Sequence, residues 1–129
     1  MFVSSRALGL LFTLIIGGMS TSNVEYVTAT VYHAVEGQTD STPLITASGK
    51  KINANNPASH KWIAVSRDLE PLGFVFGAKV IVSGAGDMDG VWVVQDRMNK
   101  RWTHKIDFLV NEDTMGKWKN VSIQLLDAQ

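Results

Sequence analysis

The stretch VVQDRMNKRWTHKIDF, Val93 to Phe108, decides how the rest of the chain is read. It holds Asp96 and Asp107, eleven positions apart. Asp96 ends the run GVWVVQD, and Asp107 stands inside KIDFLV. Both runs are rich in β-branched and aromatic residues, which favour strands. Between them the chain is basic and aromatic, with Lys100, Arg101, Trp102, His104 and Lys105. A strand, a loop and a returning strand can bring two such acids into one cleft. Desolvation and a neighbouring carboxylate both raise a carboxyl pKa, toward the range useful for giving up a proton. The spacing equally suits a structural role, in which the acids cap turns or pair with Arg97, Arg101 or Lys105.

Working outward, VEYVTATVYH (24–33) alternates with period two, placing Val27, Ala29 and Val31 on one face. Residues 34–59 are rich in Gly, Ser, Thr, Asn and Pro and read as loop, with one short strand near Leu44–Thr46. KWIAVS (61–66), AKVIVS (78–83) and NVSIQLL (120–126) are further strands. LEPLG (69–73) is a turn. Asp89-Gly90 closes a hairpin, and the glycines before it make no dinucleotide fingerprint because a strand follows them. NEDTMGKW (111–118) suits one helical turn with Asn111 as N-cap. Six or seven short strands with little helix point to a small all-β barrel or sandwich.

The chain has 129 residues, 45% hydrophobic and 19% charged, the profile of one globular domain. Residues 1–22 carry one charge, Arg6, then an apolar run from Ala7 to Met19 and small polar residues. This is the layout of an export signal, with cleavage after Ser22; the rival readings are an uncleaved N-terminal anchor or a buried hydrophobic helix. Without Arg6 the domain 23–129 has net charge −1, so it offers no general basic field for nucleic acid. Contact with a membrane is expected only through an uncleaved N-terminal segment. There are no cysteines, and His33, His60 and His104 have no metal-ligand spacing, so no metal site is expected.

Several segments, taken in order, resemble the double-psi β-barrels of bacterial cell-wall enzymes. These are the 3D (three-aspartate) domain, the barrel of membrane-bound lytic transglycosylase A, and the rare lipoprotein A family. VTATVYH (27–33) resembles their opening strand, and TASGKKI (46–52) their Thr-Ala-Ser/Thr-Gly turn. IAVSRDLEPLG (63–73) resembles the strand that runs into Pro-Leu-Gly, and GKWKNVSIQLL (116–126) the closing strand. The Asp96–Asp107 spacing matches as well.

The resemblance implies an all-β, six-stranded double-psi barrel acting as a monomer on peptidoglycan glycan strands in a bacterial periplasm or envelope. It implies a lytic transglycosylase, without cofactor, that cleaves the bond between N-acetylmuramic acid and N-acetylglucosamine. Asp107 would be the general acid/base and Asp96 its partner. Tyr32, Thr46 and Ser48 would line the groove. Trp102 and Trp92 would stack on sugars, unless Trp92 is core, and Arg101 or Lys105 would meet glycan carboxylates. The chain departs from the pattern at Ser66, where the 3D domain has aspartate, and at Arg97 and Met98, where it has glycines. Ser66 is expected at a water-accessible strand end that tolerates an acid. Ser66 favours an alternative, a non-catalytic glycan-binding barrel, while the intact Asp96–Asp107 spacing favours the enzyme; a third reading is an interaction module for envelope proteins.

Overall fold

Alternation along Val24–Tyr32 makes the first strand, β1, with Val27 and Ala29 buried and Thr28 and Thr30 half-buried. The computed structural model describes residues 24–35 and 44–126. It continues with β2 (Trp62–Val65), β3 (Lys79–Ser83), β4 (Gly90–Arg97), β5 (Lys105–Leu109) and β6 (Lys117–Leu125). The strands close into a barrel in the order β1-β5-β2-β4-β3-β6. β1/β5 and β2/β4 are parallel, and the remaining pairs are antiparallel. Exchanging β1, β2 and β3 for β4, β5 and β6 swaps β1/β5 with β2/β4 and β1/β6 with β3/β4, and maps β2/β5 and β3/β6 onto themselves. This pseudo-twofold arrangement is the six-stranded double-psi barrel expected. Helix among the described residues is limited to short 3-10 turns, such as Pro57–His60 and Arg67–Leu72.

Inward-facing residues fill the barrel: Ile63 and Val65 from β2, Val80 and Val82 from β3, Ile106 and Phe108 from β5. Each such side chain contributes about 1.5–3 kcal/mol through burial. Trp92 belongs here and not on a sugar-binding surface. It is 2% exposed, its ring centroid lies 4.7 Å from that of Phe108, and its Nε1–H donates to the Met88 carbonyl at 2.7 Å.

Alternation fails at Ala64 and Leu109, which are buried although they face outward. The reason is a second apolar cluster outside the barrel, built from Tyr32, Ile52, Ala64, Met98 and Leu109. It covers part of the outward face of β1, β5, β2 and β4, and Trp62 and Trp102 pack against it.

Some local expectations change. The hairpin at Asp89-Gly90 forms, but with a 3-10 turn at Gly86–Met88 and Asp89 Oδ1 accepting the Ala85 N–H at 2.6 Å. The strand near Leu44–Thr46 shrinks to the single bridge Ile45–Lys51. Asn111 caps no helix: a turn closes with Thr114 N–H on the Asn111 carbonyl, and the Asn111 side chain accepts the Ala58 N–H at 3.0 Å instead. Ser66 is fully buried, not water-accessible, because its backbone and side chain both bond to Lys105 of the neighbouring strand. The expected export segment lies outside the described residues. Among the described residues no helix is long and apolar enough to cross a membrane.

Candidate functional site

Strand register builds the site around Ala64. Its partner on one side is Asp107 of β5, and on the other Asp96 of β4. The two aspartates therefore flank β2 on its outward face, with backbones about 10 Å apart, twice the spacing between strands. On β4, Trp92 and Val94 point inward, and strict alternation would aim Asp96 inward too. A register shift opposite Ile63 and Ala64 leaves Gln95 as the extra residue and turns Asp96 outward.

Asp96 is held on both oxygens. Oδ2 accepts the Tyr32 hydroxyl at 2.9 Å, and Oδ1 accepts the N–H groups of Ala47 at 2.9 Å and Arg97 at 3.0 Å. The turn Thr46–Lys50 that supplies Ala47 is itself docked on the bulge. Ser48 Oγ donates to Gln95 Oε1 at 2.6 Å, and Ser48 N–H donates to the Gln95 carbonyl at 3.2 Å. Thr46 Oγ1 shares a hydrogen bond with Ser48 Oγ and accepts the Lys50 N–H, both at 2.9 Å. Gly49 completes the turn at φ +92°, a left-handed conformation that suits glycine. Tyr32 and Thr46 are buried, so they form the floor of the site. Burial, then the negative charge of Asp96 and its hydrogen bond, with Asp107 further off, push the Tyr32 pKa far above the ordinary tyrosine range.

Asp107 is less restrained. It is half-buried, and its Oδ1 accepts the hydroxyl hydrogen of Thr30. Among the described residues no hydrogen-bond partner meets Oδ2. Its pKa is raised, chiefly by burial and further by the Asp96 charge, against the opposing pull of the Thr30 hydrogen bond and the Lys105 ammonium. One acid is thus a clamped acceptor, and the other is biased toward holding a proton.

Lys105, two residues along the same face, sets Nζ 3.8 Å from the Trp102 ring centroid, and Arg101 Cζ lies 4.9 Å from it. The half-buried Trp102 thus carries two cations beside Asp107 and packs on the outer cluster. Arg97 turns away to Glu70, at 2.7 Å, and Met98 is buried in that cluster. Neither Arg97 nor Arg101 pairs with Asp96, so the structural role weighed for Asp96 is met by backbone amides and a tyrosine. Sequence reasoning missed Thr30, Gln95 and Trp62. Thr30 was within reach, because it shares the outward face of β1 with Tyr32. Trp62, two residues before Ala64, stacks on His60 with centroids 3.9 Å apart. Gln95 has no signal in the sequence.

No protein-family model matches the chain, and no curated protein matches it. Among solved structures, the apo crystal structure of an expansin from Clavibacter michiganensis is similar, with a TM-score of 0.54 and 14% identity. A mutant of the Clavibacter michiganensis expansin in complex with cellohexaose is similar too, with a TM-score of 0.52 and 14% identity. Each match covers 83% of this chain and 52% of the expansin, so this chain spans about half the expansin's length. At that identity the likeness is one of fold: this chain is a barrel of the kind found in an expansin.

Proposed function

We propose that this barrel binds a cell-wall glycan on the outward face of β1, β5, β2 and β4, after export by its N-terminal segment. The observation that carries the reading is the pairing of Ala64 with both Asp96 and Asp107, which puts two carboxylates on one outward face beside Trp102, Arg101 and Lys105. Carboxylates accept sugar hydroxyls, and a cation-flanked aromatic suits a glycan that bears acidic groups. Peptidoglycan strands, with lactyl and peptide carboxylates, have that chemistry. That an expansin of similar fold has been solved in complex with cellohexaose supports a saccharide ligand here.

A second reading is a lytic transglycosylase, supported by the raised pKa of Asp107. In it Asp107 protonates the glycosidic oxygen, breaking its bond to the muramyl C1. It then takes the proton of the sugar's own 6-hydroxyl as that oxygen bonds to C1, giving a 1,6-anhydro product. Asp96, held by the Tyr32 hydroxyl and the Ala47 and Arg97 N–H groups, lines the same face, while Thr30 aims Asp107.

Co-sedimentation with insoluble peptidoglycan, followed by analysis of the soluble fraction, tests both. Retention without anhydro-sugar release selects the binding barrel, and release selects the enzyme. Retention on cellulose but not peptidoglycan would reassign the glycan. No retention on either would end both readings in favour of a protein-interaction module.

A further inference from the structure

We propose that the glycan site continues along β1 into a second sugar subsite formed by Tyr26, His104, Lys119 and Asn120. The inference rests on the glycan-binding reading and adds the length and path of the ligand. The outward residues of β1 are Tyr26, Thr28 and Thr30, two apart, and their neighbours on β5 run in step. Thr30 pairs with Asp107 and Thr28 with Lys105, and the Thr28 N–H donates to the His104 carbonyl at 3.0 Å. The row thus leads from the Asp107 carboxylate, past the Lys105 ammonium, to Tyr26.

There the surface is concave, with a volume of about 200 Å³, lined by Tyr26, Val27, Thr28, His104, Lys119 and Asn120. The concavity lies where β6 bulges: Lys119 and Asn120 together stand opposite Thr28, and Asn120 takes φ +57°. Tyr26 is 64% exposed, an open aromatic face in a strand whose other outward aromatic, Tyr32, is buried. An aromatic ring beside an amide, an imidazole and an ammonium is the chemistry that holds a sugar ring and its polar substituents. His104 is anchored there, with its N–H donating to Asp68 Oδ2 at 3.0 Å and its Nδ1 3.4 Å from the same oxygen. From Tyr26 to Thr30 the backbone advances about 13 Å, more than one sugar ring spans. The ligand is therefore a glycan segment of several sugars running along β1, with its distal end on Tyr26.

The test is the dependence of affinity on glycan length. Calorimetry with a peptidoglycan disaccharide and with a long peptidoglycan oligosaccharide is run on wild type, Tyr26→Ala and Lys119→Gln, with circular dichroism as the check on folding. The wild type should bind the long glycan more tightly than the disaccharide. Tyr26→Ala should lose about two- to tenfold of that advantage and keep disaccharide affinity unchanged. Lys119→Gln should weaken the long glycan only. A folded Tyr26→Ala with the wild-type length dependence overturns the subsite and leaves the Asp107 site standing. Equal weakening of both ligands also overturns it. Wild type that binds neither glycan overturns the glycan reading and this inference with it.

Discussion

The Tyr32 hydroxyl donates to Asp96 Oδ2 at 2.9 Å, tying β1 to β4 across the two strands that lie between them in the barrel order. The contact joins a buried phenol to a carboxylate whose other oxygen holds two backbone amides. It couples the opening strand to the Thr46–Lys50 turn, so the site is assembled by long-range contacts and not by a single loop.

Tyr32→Phe removes only that hydroxyl. The ring still packs among Ile52, Met98 and Leu109, so no large cavity opens. The loss of one hydrogen bond to a carboxylate predicts destabilisation of about 1–2 kcal/mol, read by urea unfolding at pH 7. Glycan affinity should fall as well, since Asp96 loses one of its three restraints. Unchanged stability would show that the Tyr32–Asp96 contact contributes nothing in solution.

Thr30→Val deletes the hydroxyl that donates to Asp107. That hydrogen bond favours the ionised acid and opposes the raising effect of burial. The pKa of Asp107 should therefore rise further in the variant, which carboxyl-carbon NMR titration can follow. A fall would mean that burial at this position has been relieved by rearrangement.

Much of the barrel is legible in the sequence, because β1 and β3 alternate, β5 does so as far as Phe108, and each begins or ends at a polar turn. The facing of Asp96 is not legible. Trp92 and Val94 set an inward rhythm that would carry Asp96 into the core, and the bulge at Gln95 that reverses it depends on pairing with β2. The burial of Ala64 and Leu109 is hidden for a related reason, since the cover comes from Ile52 and Met98, distant in sequence. Asp107 itself is legible, as a lone carboxylate in an apolar run. Its partner Thr30 is visible only as one threonine among several on a polar face.

Ser66→Asp tests the burial that sequence reasoning misplaced. Ser66 is 0% exposed, and its Oγ accepts the Lys105 N–H at 3.0 Å. The neighbouring Asp68 also depends on it. Burial raises the Asp68 pKa, but hydrogen bonds from Ser66 and the His104 N–H outweigh this and leave it lowered. An aspartate at 66 would be buried beside a like charge. Destabilisation of about 3 kcal/mol or more is expected at neutral pH, shrinking toward pH 4 as the new acid protonates. A variant with the wild-type unfolding midpoint would show that position 66 opens readily to water.

Asp107→Asn separates a binding acid from a reacting one. With its pKa raised in the folded state, Asp107 contributes stability that is fully present below the unfolded value of about 3.9 and is lost as pH rises through the folded value. Above that window the ionised carboxylate is a net burden on the fold. Asparagine keeps the shape and never ionises, so the variant should be at least as stable as wild type at pH 7. Its unfolding midpoint should also lack the decline expected of wild type as pH rises from the unfolded to the raised folded pKa of Asp107. If the barrel cuts peptidoglycan, the same substitution should lower anhydro-sugar release by about 10²–10⁴-fold while retention on the wall persists, because asparagine can hydrogen-bond a sugar but cannot transfer a proton. Wild-type release should itself fall as pH rises past the Asp107 pKa, since the first step needs the protonated acid. If wild type releases nothing and Asp107→Asn merely weakens retention, Asp107 is a ligand to the glycan. A variant less stable than wild type at pH 7 would make the ionised carboxylate a structural necessity and remove the reason for assigning it a proton.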